Sequence, residues 1–437
     1  MSSSFRLLLI GDSDSQLLAC EALCQFPDHL NVDITINAIP RDGTPEPILQ
    51  RAQALGTLWR YEIGQVLSHP DLHRFDAIGV YLTGSKISDF RLAFALLPIN
   101  ARPLLFCGFN GVVLEKFLEG MSWRLGYDLI CLNGPRDEDA LQQMLTDSPF
   151  EQQPIVLTGL RRSVGPDTTA HFHDDRRRQM VFAEQVVMPC DEQDRADMVR
   201  ILADLARRSP DWDILIKPRI APHETTFHQA KTHISRTVLQ TIGQPPSNFR
   251  LDYRPLPVLL SQSRLMATVS STAFFDALDY GCRPMVMADF GMNPANGSHV
   301  FAGSGVWRHL DAAEDLNALD QDLGLPNPEW LTWMGYGKEW KPEQLIVSLQ
   351  QLRTKEQKPV QAKSGYVSNA NISFKQLRRE AERAIQEKNW NKAQSLLKLG
   401  RLMRPTHRNL ARRLKAVEQT NGLLRRLLLI LTYRDVG

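Results

Sequence analysis

Three junctions between an apolar run and a following helix carry side chains able to do chemistry. The first is Gly11-Asp12-Ser13-Asp14-Ser15, where Asp12 and Asp14 form a D-x-D. Such a pair can chelate a divalent cation on a diphosphate, bind an acceptor, or take a proton from an attacking hydroxyl. Its plainer use is structural: Ser13 or Ser15 caps a helix whose positive end the aspartates favour. The second junction is Lys217-Pro218-Arg219. Proline fixes the backbone between two cations, so both can be aimed at one phosphate or carboxylate; a solvated charged loop is the alternative. The third is Ser270-Ser271-Thr272 at a helix start. One hydroxyl would serve as a cap, whereas three in a row beside the orphan amides of a first turn suit a phosphate cradle.

Two further groups carry weaker signals. The glycine- and asparagine-rich run from Asp289 through Gly291, Asn296 and Gly297 to Gly305 can touch a sugar or a base, but reads first as loop punctuation. His223, His228 and His233 are helix-spaced without an Asp or Cys partner, so no metal site is expected. Neither a G-x-G-x-x-G after the first strand nor a Walker A sequence occurs, and H-E-x-x-H and G-x-S-x-G are absent too. These absences remove the main support for dinucleotide oxidoreductases, P-loop NTPases, zincins and α/β-hydrolases.

The elements that must position these residues alternate. Strands are expected at 5–10, 31–39, 75–82, 103–107, 127–132 and 155–158, with helices at 16–26, 45–67, 89–97, 112–123 and 138–146. After a charged linker at 161–179 the pattern restarts, with strands at 180–187, 212–216, 249–253, 265–269 and 285–288 and helices at 191–208, 224–242, 257–262 and 272–280. Such alternation implies parallel sheets covered on both faces. The expected fold is therefore α/β, with Rossmann-like domains over 1–165 and 178–352 facing a cleft at the carboxyl ends of their strands. A polar linker at 354–371 leads into a helical tail, 372–437. There Ala381, Ala384, Trp390, Ala393, Leu397 and Pro405 have the spacing of one tetratricopeptide-type hairpin.

Composition bounds the class. Hydrophobic residues make up 43% and charged residues 23%, which is ordinary for a globular protein. No apolar run is long enough to cross a bilayer, and the start lacks a signal-peptide pattern, so a cytoplasmic chain is expected. Six cysteines without a C-x-x-C pair read as buried thiols of a reducing compartment. Net charge is +2, but residues 371–437 hold 16 Lys and Arg against 5 Asp and Glu, a charge of +11 that leaves the remainder at −9. With the apolar stretch 423–431, this tail is expected on the anionic inner face of a membrane or against another protein. Few aromatics, Phe374, Trp390 and Tyr433, interleave its charges, so nucleic acid is not an expected partner.

One resemblance covers residues 5–310. Phe182-Ala183-Glu184-Gln185 with Pro189, Ile216-Lys217-Pro218-Arg219 with Glu224 and His228, Thr268-Val269-Ser270-Ser271-Thr272-Ala273, and Asp289-Phe290-Gly291 through Ser304-Gly305 resemble bacterial glycosyltransferases of surface-polysaccharide clusters. More distantly the chain is similar to GT-B sialyltransferases and polysialyltransferases, whose His-Pro and Ser-Ser motifs bind the CMP phosphate. Lys217-Pro218 stands where His-Pro would, Ser270-Ser271 matches Ser-Ser, and the acidic-acidic-glycine motif of that family has no match here. The resemblance implies a metal-independent transfer of a sugar, sialic acid or a related nonulosonic acid, from a nucleotide-sugar to a cell-surface glycan or lipid-linked acceptor, with no cofactor beyond that donor. Lys217, Arg219, Ser270, Ser271 and Thr272 would hold the donor, and Asp12 or Asp14 would be the base. A CDP-polyol phosphotransferase, a nucleotide-sugar epimerase or a non-catalytic sugar-nucleotide-binding scaffold would share the same cradle.

Overall fold

The computed structural model describes residues 4–24, 26–40, 46–84, 86–95, 97, 102–112, 117–145, 152–160, 176–222, 232–337, 339–354, 374–403 and 407–434. The linkers expected at 161–179 and 354–371 lie mostly outside these residues, as do His223, Glu224 and His228. Two compact units emerge. One gathers Met1–Asn110, Lys116–Thr158 and Lys341–Gly437, and the other Gly111–Glu115 and Gly159–Trp340.

The first unit runs β1 (Phe5–Gly11), α1 (Asp14–Leu23), β2 (Val32–Ala38), α2 (Glu46–Leu55), β3 (Thr57–Trp59), α3 (Ile63–Leu67), β4 (Ala77–Tyr81), α4 (Lys86–Phe94), β5 (Leu104–Cys107), α5 (Phe117–Ser122), β6 (Leu129–Leu132), α6 (Pro135–Leu145) and β7 (Ile155–Leu157). Its seven strands lie in the order β3-β2-β1-β4-β5-β6-β7, all parallel. Alternation sends Leu8 and Ile10 into one core with Phe90, Met121 and Leu141, and Leu7 and Leu9 into another with Leu17, Cys20 and Leu49. A strand covered on both faces has no polar side, which is why β1 reads as an unbroken apolar run. Gly79 in β4 has a steric reason: a Cβ there would meet the Phe106 ring at 2.5 Å and Leu9 at 2.6 Å.

The second unit runs β8 (Arg177–Ala183), α7 (Glu192–Arg208), β9 (Asp213–Lys217), α8 (Ile234–Ile242), β10 (Phe249–Leu251), α9 (Leu256–Gln262), β11 (Ser263–Thr268), α10 (Ala273–Asp279), β12 (Arg283–Met287), β13 (Trp307–Arg308), α11 (Leu316–Asp322) and α12 (Pro328–Met334). Its parallel order is β10-β9-β8-β11-β12-β13. Met180, Phe182, Ile214 and Ile216 face Met198, Val199 and Leu202 of α7, while Val181 and Leu215 face Leu259 of α9. Phe274, Phe275, Phe301 and Trp330 close the core under α10, with Phe275 and Trp330 stacked at 5.9 Å.

The remaining helices differ from the expected boundaries. α13 (Glu343–Arg353) was expected to close the second domain. Instead its Leu345, Ile346 and Leu349 are buried in the first unit's core beside β7. The tail forms α14 (Phe374–Gln386), α15 (Trp390–Met403), α16 (Arg408–Val417) and α17 (Gly422–Arg434). The hairpin positions Ala381, Ala384, Ala393 and Leu397 are buried, and α15 lies against α5, so α14 and α15 extend the first unit's core instead of standing apart. Among the described residues no helix is long and apolar enough to cross a membrane.

Candidate functional site

In an open parallel sheet the chain winds outward in both directions from a first strand, and a crevice opens at the carboxyl ends where the direction reverses. That point lies between β8 and β11 in the second unit and between β1 and β4 in the first.

At the β8/β11 edge the register sets Ala183 beside Lys217 of β9 and Phe182 beside Ala267 of β11. The residues just beyond each strand are therefore neighbours. Glu184 is buried; its Oε1 accepts from Arg195 NH2 at 2.8 Å and its Oε2 accepts from the Arg219 backbone N–H at 3.0 Å. Arg195 also donates to the carbonyls of Gln185 and Met188, at 2.9 and 3.1 Å. Its place on α7, three residues before Met198 and four before Val199, is on the apolar face, so a charge there had to find a buried partner. That spacing was the signal for a pair that the sequence reading left unassigned.

Glu184 thus sets the backbone at which the two expected cations emerge. Lys217 is half-buried, with Nζ donating to the Pro218 carbonyl at 2.5 Å, and Arg219 is exposed. Tyr253, just past β10, is exposed at the same end of the sheet; partial burial and the charge of Glu184 raise its phenol pKa. Two cations and an aromatic ring at one sheet edge can bind an anion and stack on a planar ring.

The three hydroxyls of the expected cradle divide. Ser270 is fully buried: its backbone N–H donates to Gln185 Oε1 at 3.0 Å and its hydroxyl lies 3.3 Å from the Gln185 amide. Its side chain thus ties the segment after β8 to the segment after β11. Ser271, one residue before the N-cap Thr272, accepts the Ala273 N–H at 3.2 Å, while its own N–H donates to Thr268 Oγ1 at 3.1 Å. Ser271 and Thr272 are half-buried. The loop after β12 is fastened to its neighbours, with Asp289 accepting from the Leu310 and Asp311 N–H groups and Asn296 accepting from Cys190 N–H. His233 caps α8 by accepting from Ser235 N–H at 3.1 Å.

At the β1/β4 edge, Asp12 is buried and accepts from Thr83 N–H at 3.0 Å, Thr83 Oγ1 at 2.9 Å and Lys86 Nζ at 2.8 Å. It bridges the two strands at which the winding reverses. Ser13 caps α1, and Asp14 is half-buried in the first helical turn. Asn110, past β5, donates to Ser15 at 3.0 Å. Here one carboxylate is committed to local donors and the other stays at the surface. The thiols lie elsewhere: five cysteines are buried, with Cys282 pushed up to about 12 by burial, while Cys190 is exposed, against expectation.

Solved structures share this architecture at low identity. A protein described as "putative UDP-N-acetylglucosamine 2-epimerase from Listeria monocytogenes" is 13% identical, with 81% of this chain and 97% of that one covered and a TM-score of 0.51. The S. aureus MnaA–UDP co-structure is 12% identical, with 81% and 98% covered and a TM-score of 0.50. The likeness is one of fold: two parallel sheets with their helices, of GT-B type. Among curated proteins, none matches the sequence. A family model does, over residues 7–352, and with most of the chain matched this protein belongs to the family described as "Putative glycosyltransferase (DUF6716)".

Proposed function

We propose that the chain transfers a sugar from a nucleotide-sugar whose phosphates dock at the carboxyl edge of β8, β9 and β11. The observation that supports this reading most is the emergence of Lys217 and Arg219 together beside the β8/β11 reversal, on a backbone held by buried Glu184. As the sugar–oxygen bond breaks, negative charge grows on the departing phosphate. Fixed cations and the Ser271–Thr272 turn stabilise that charge without reorganising. Tyr253, exposed at the same end of the sheet, would stack on the base. The first unit would present the acceptor, a cell-surface glycan or lipid-linked sugar. Asp14 is then the better candidate to take the acceptor's proton, because Asp12 is already bonded to Thr83 and Lys86. The same commitment argues against Asp12 as one half of a metal-chelating D-x-D, and the proposed transfer is metal-independent. For the transferred sugar we propose a nonulosonic acid such as sialic acid, on the Lys-Pro and Ser-Ser correspondence alone.

Calorimetry with UDP and CMP on Lys217→Ala and Arg219→Ala tests the site. A charge-assisted hydrogen bond contributes about 1.5–3 kcal/mol, so either change should weaken binding about 10- to 100-fold. Affinity unchanged in both variants would remove the site. Product analysis over a nucleotide-sugar panel, with and without EDTA, separates transfer from epimerisation of the donor and tests the metal independence.

A further inference from the structure

α17 has two dissimilar faces. Inward, Leu429 and Thr432 are buried, and Arg425 donates to the Gln419 carbonyl while its guanidinium sits 4.5 Å over the Trp390 ring. Outward, Leu423, Leu424, Leu427, Ile430 and Leu431 are all exposed, Leu423 at 79% and Leu427 at 60%. At 3.6 residues per turn these five side chains fall within an arc of about 120° on one side of the helix. Isolated exposed leucines need no explanation, but five contiguous ones on a helix already anchored by its other face mark an interaction surface.

Charge selects the occupant. Beside α17, the exposed side of α16 carries Arg408, Arg412 and Lys415, and Arg426 flanks the aliphatic arc. Among the described residues of 374–434 the exposed acids are Glu387 and Glu418. A second copy docking through the same face would set two such basic surfaces against each other. An anionic headgroup layer complements them, and acyl chains accept the aliphatic arc. The helix has 13 residues, or about 20 Å at 1.5 Å per residue, against a hydrocarbon core of about 30 Å, so it would lie along the surface.

We propose that the outer face of α17 docks the first unit onto an anionic lipid bilayer, with the helix in the plane of the interface. The proposal is independent of the donor site. It is tested by sedimenting the full chain with vesicles of equal parts phosphatidylglycerol and phosphatidylcholine at low salt. The wild type should pellet, raised salt and purely phosphatidylcholine vesicles should both reduce pelleting, and Leu423→Asp/Leu427→Asp/Ile430→Asp should lower the bound fraction roughly 10-fold or more. A Leu423→Ser/Leu427→Ser variant, checked by circular dichroism, covers the event that the triple variant misfolds. A wild type left in the supernatant, a folded variant that pellets equally well, or a dimer lost in the variants without vesicle binding would each overturn it.

Discussion

The two sheets reverse their winding in the same way, yet their carboxyl edges are built from opposite chemistry. At the β1/β4 reversal a carboxylate, Asp12, spans the strands and gathers Thr83 and Lys86. At the β8/β11 reversal a neutral amide, Gln185, spans them to Ser270. There the carboxylate Glu184 is withdrawn into a buried pair with Arg195, its second oxygen holding the Arg219 backbone. Equal topology therefore produces one edge whose acid is spent at the junction and one whose acid lies behind it, leaving cations in front. The difference teaches that the winding supplies a crevice and the first residues past each strand decide its charge. On that ground the second edge is the one proposed for phosphate.

The comparison breaks most severely at Glu184. The side chains of Glu184 and Arg195 are 4% and 8% exposed, so removing one partner strands the other charge in the interior. Glu184→Ala should cost about 3–5 kcal/mol in urea unfolding. Replacing both, as Glu184→Leu/Arg195→Met, should recover most of that loss, because apolar substitution of a whole buried pair is often close to neutral. If the double variant is stable yet binds UDP as well as the wild type, Glu184 does not position the cation loop and the contrast between the edges is structural only.

How much of this was legible follows from particular residues. Strands such as β1 and β8 were readable because burial on both faces leaves an apolar run that composition alone reveals. β3 was hidden inside a stretch read as helical from 45 to 67, since three residues at a sheet edge carry too little periodicity to interrupt it. α13 showed its apolar face but not its partner: amphipathicity states that a face is covered, never by which sheet, and the chain returns to β7 across the whole second unit. The hairpin spacing in α14 and α15 was legible for the same reason, and its docking on α5 was not. Within the cradle, strand alternation could not separate the hydroxyls, because Ser270, Ser271 and Thr272 lie past the end of β11. The position of the two cations was legible because the apolar run of β9 stops at Lys217.

A middle-sized effect is expected at Asp12. Asp12→Ala removes an acceptor of two bonds from Thr83 and one from Lys86, leaving the turn after β4 without its tie to β1. Lys86 is largely exposed and is re-solvated, so the loss should be about 1–3 kcal/mol, chiefly from the Thr83 groups. Asp12→Asn keeps an acceptor for Thr83 and should lose less than Asp12→Ala. An Asn variant as damaged as Ala would show that the charge, and hence Lys86, is what matters at this edge.

The smallest expected effect separates those accounts directly. Lys86 is 56% exposed in its side chain, and its partner Asp12 keeps both Thr83 donors when Lys86 is truncated. An ion pair with one solvated member gains little, because water screens the attraction and ordering a long side chain costs entropy. Lys86→Ala should therefore change stability by no more than about 1 kcal/mol. Nucleotide affinity should be unchanged, in contrast with Lys217→Ala, although both lysines stand at the carboxyl edge of a parallel sheet. Position explains the contrast: Lys86 stands at the β1/β4 edge on Asp12, whereas Lys217 ends β9 at the edge proposed for the donor phosphates. If Lys86→Ala weakens UDP binding as much as Lys217→Ala does, the first edge also serves the donor, and the division of labour between the two sheets is lost.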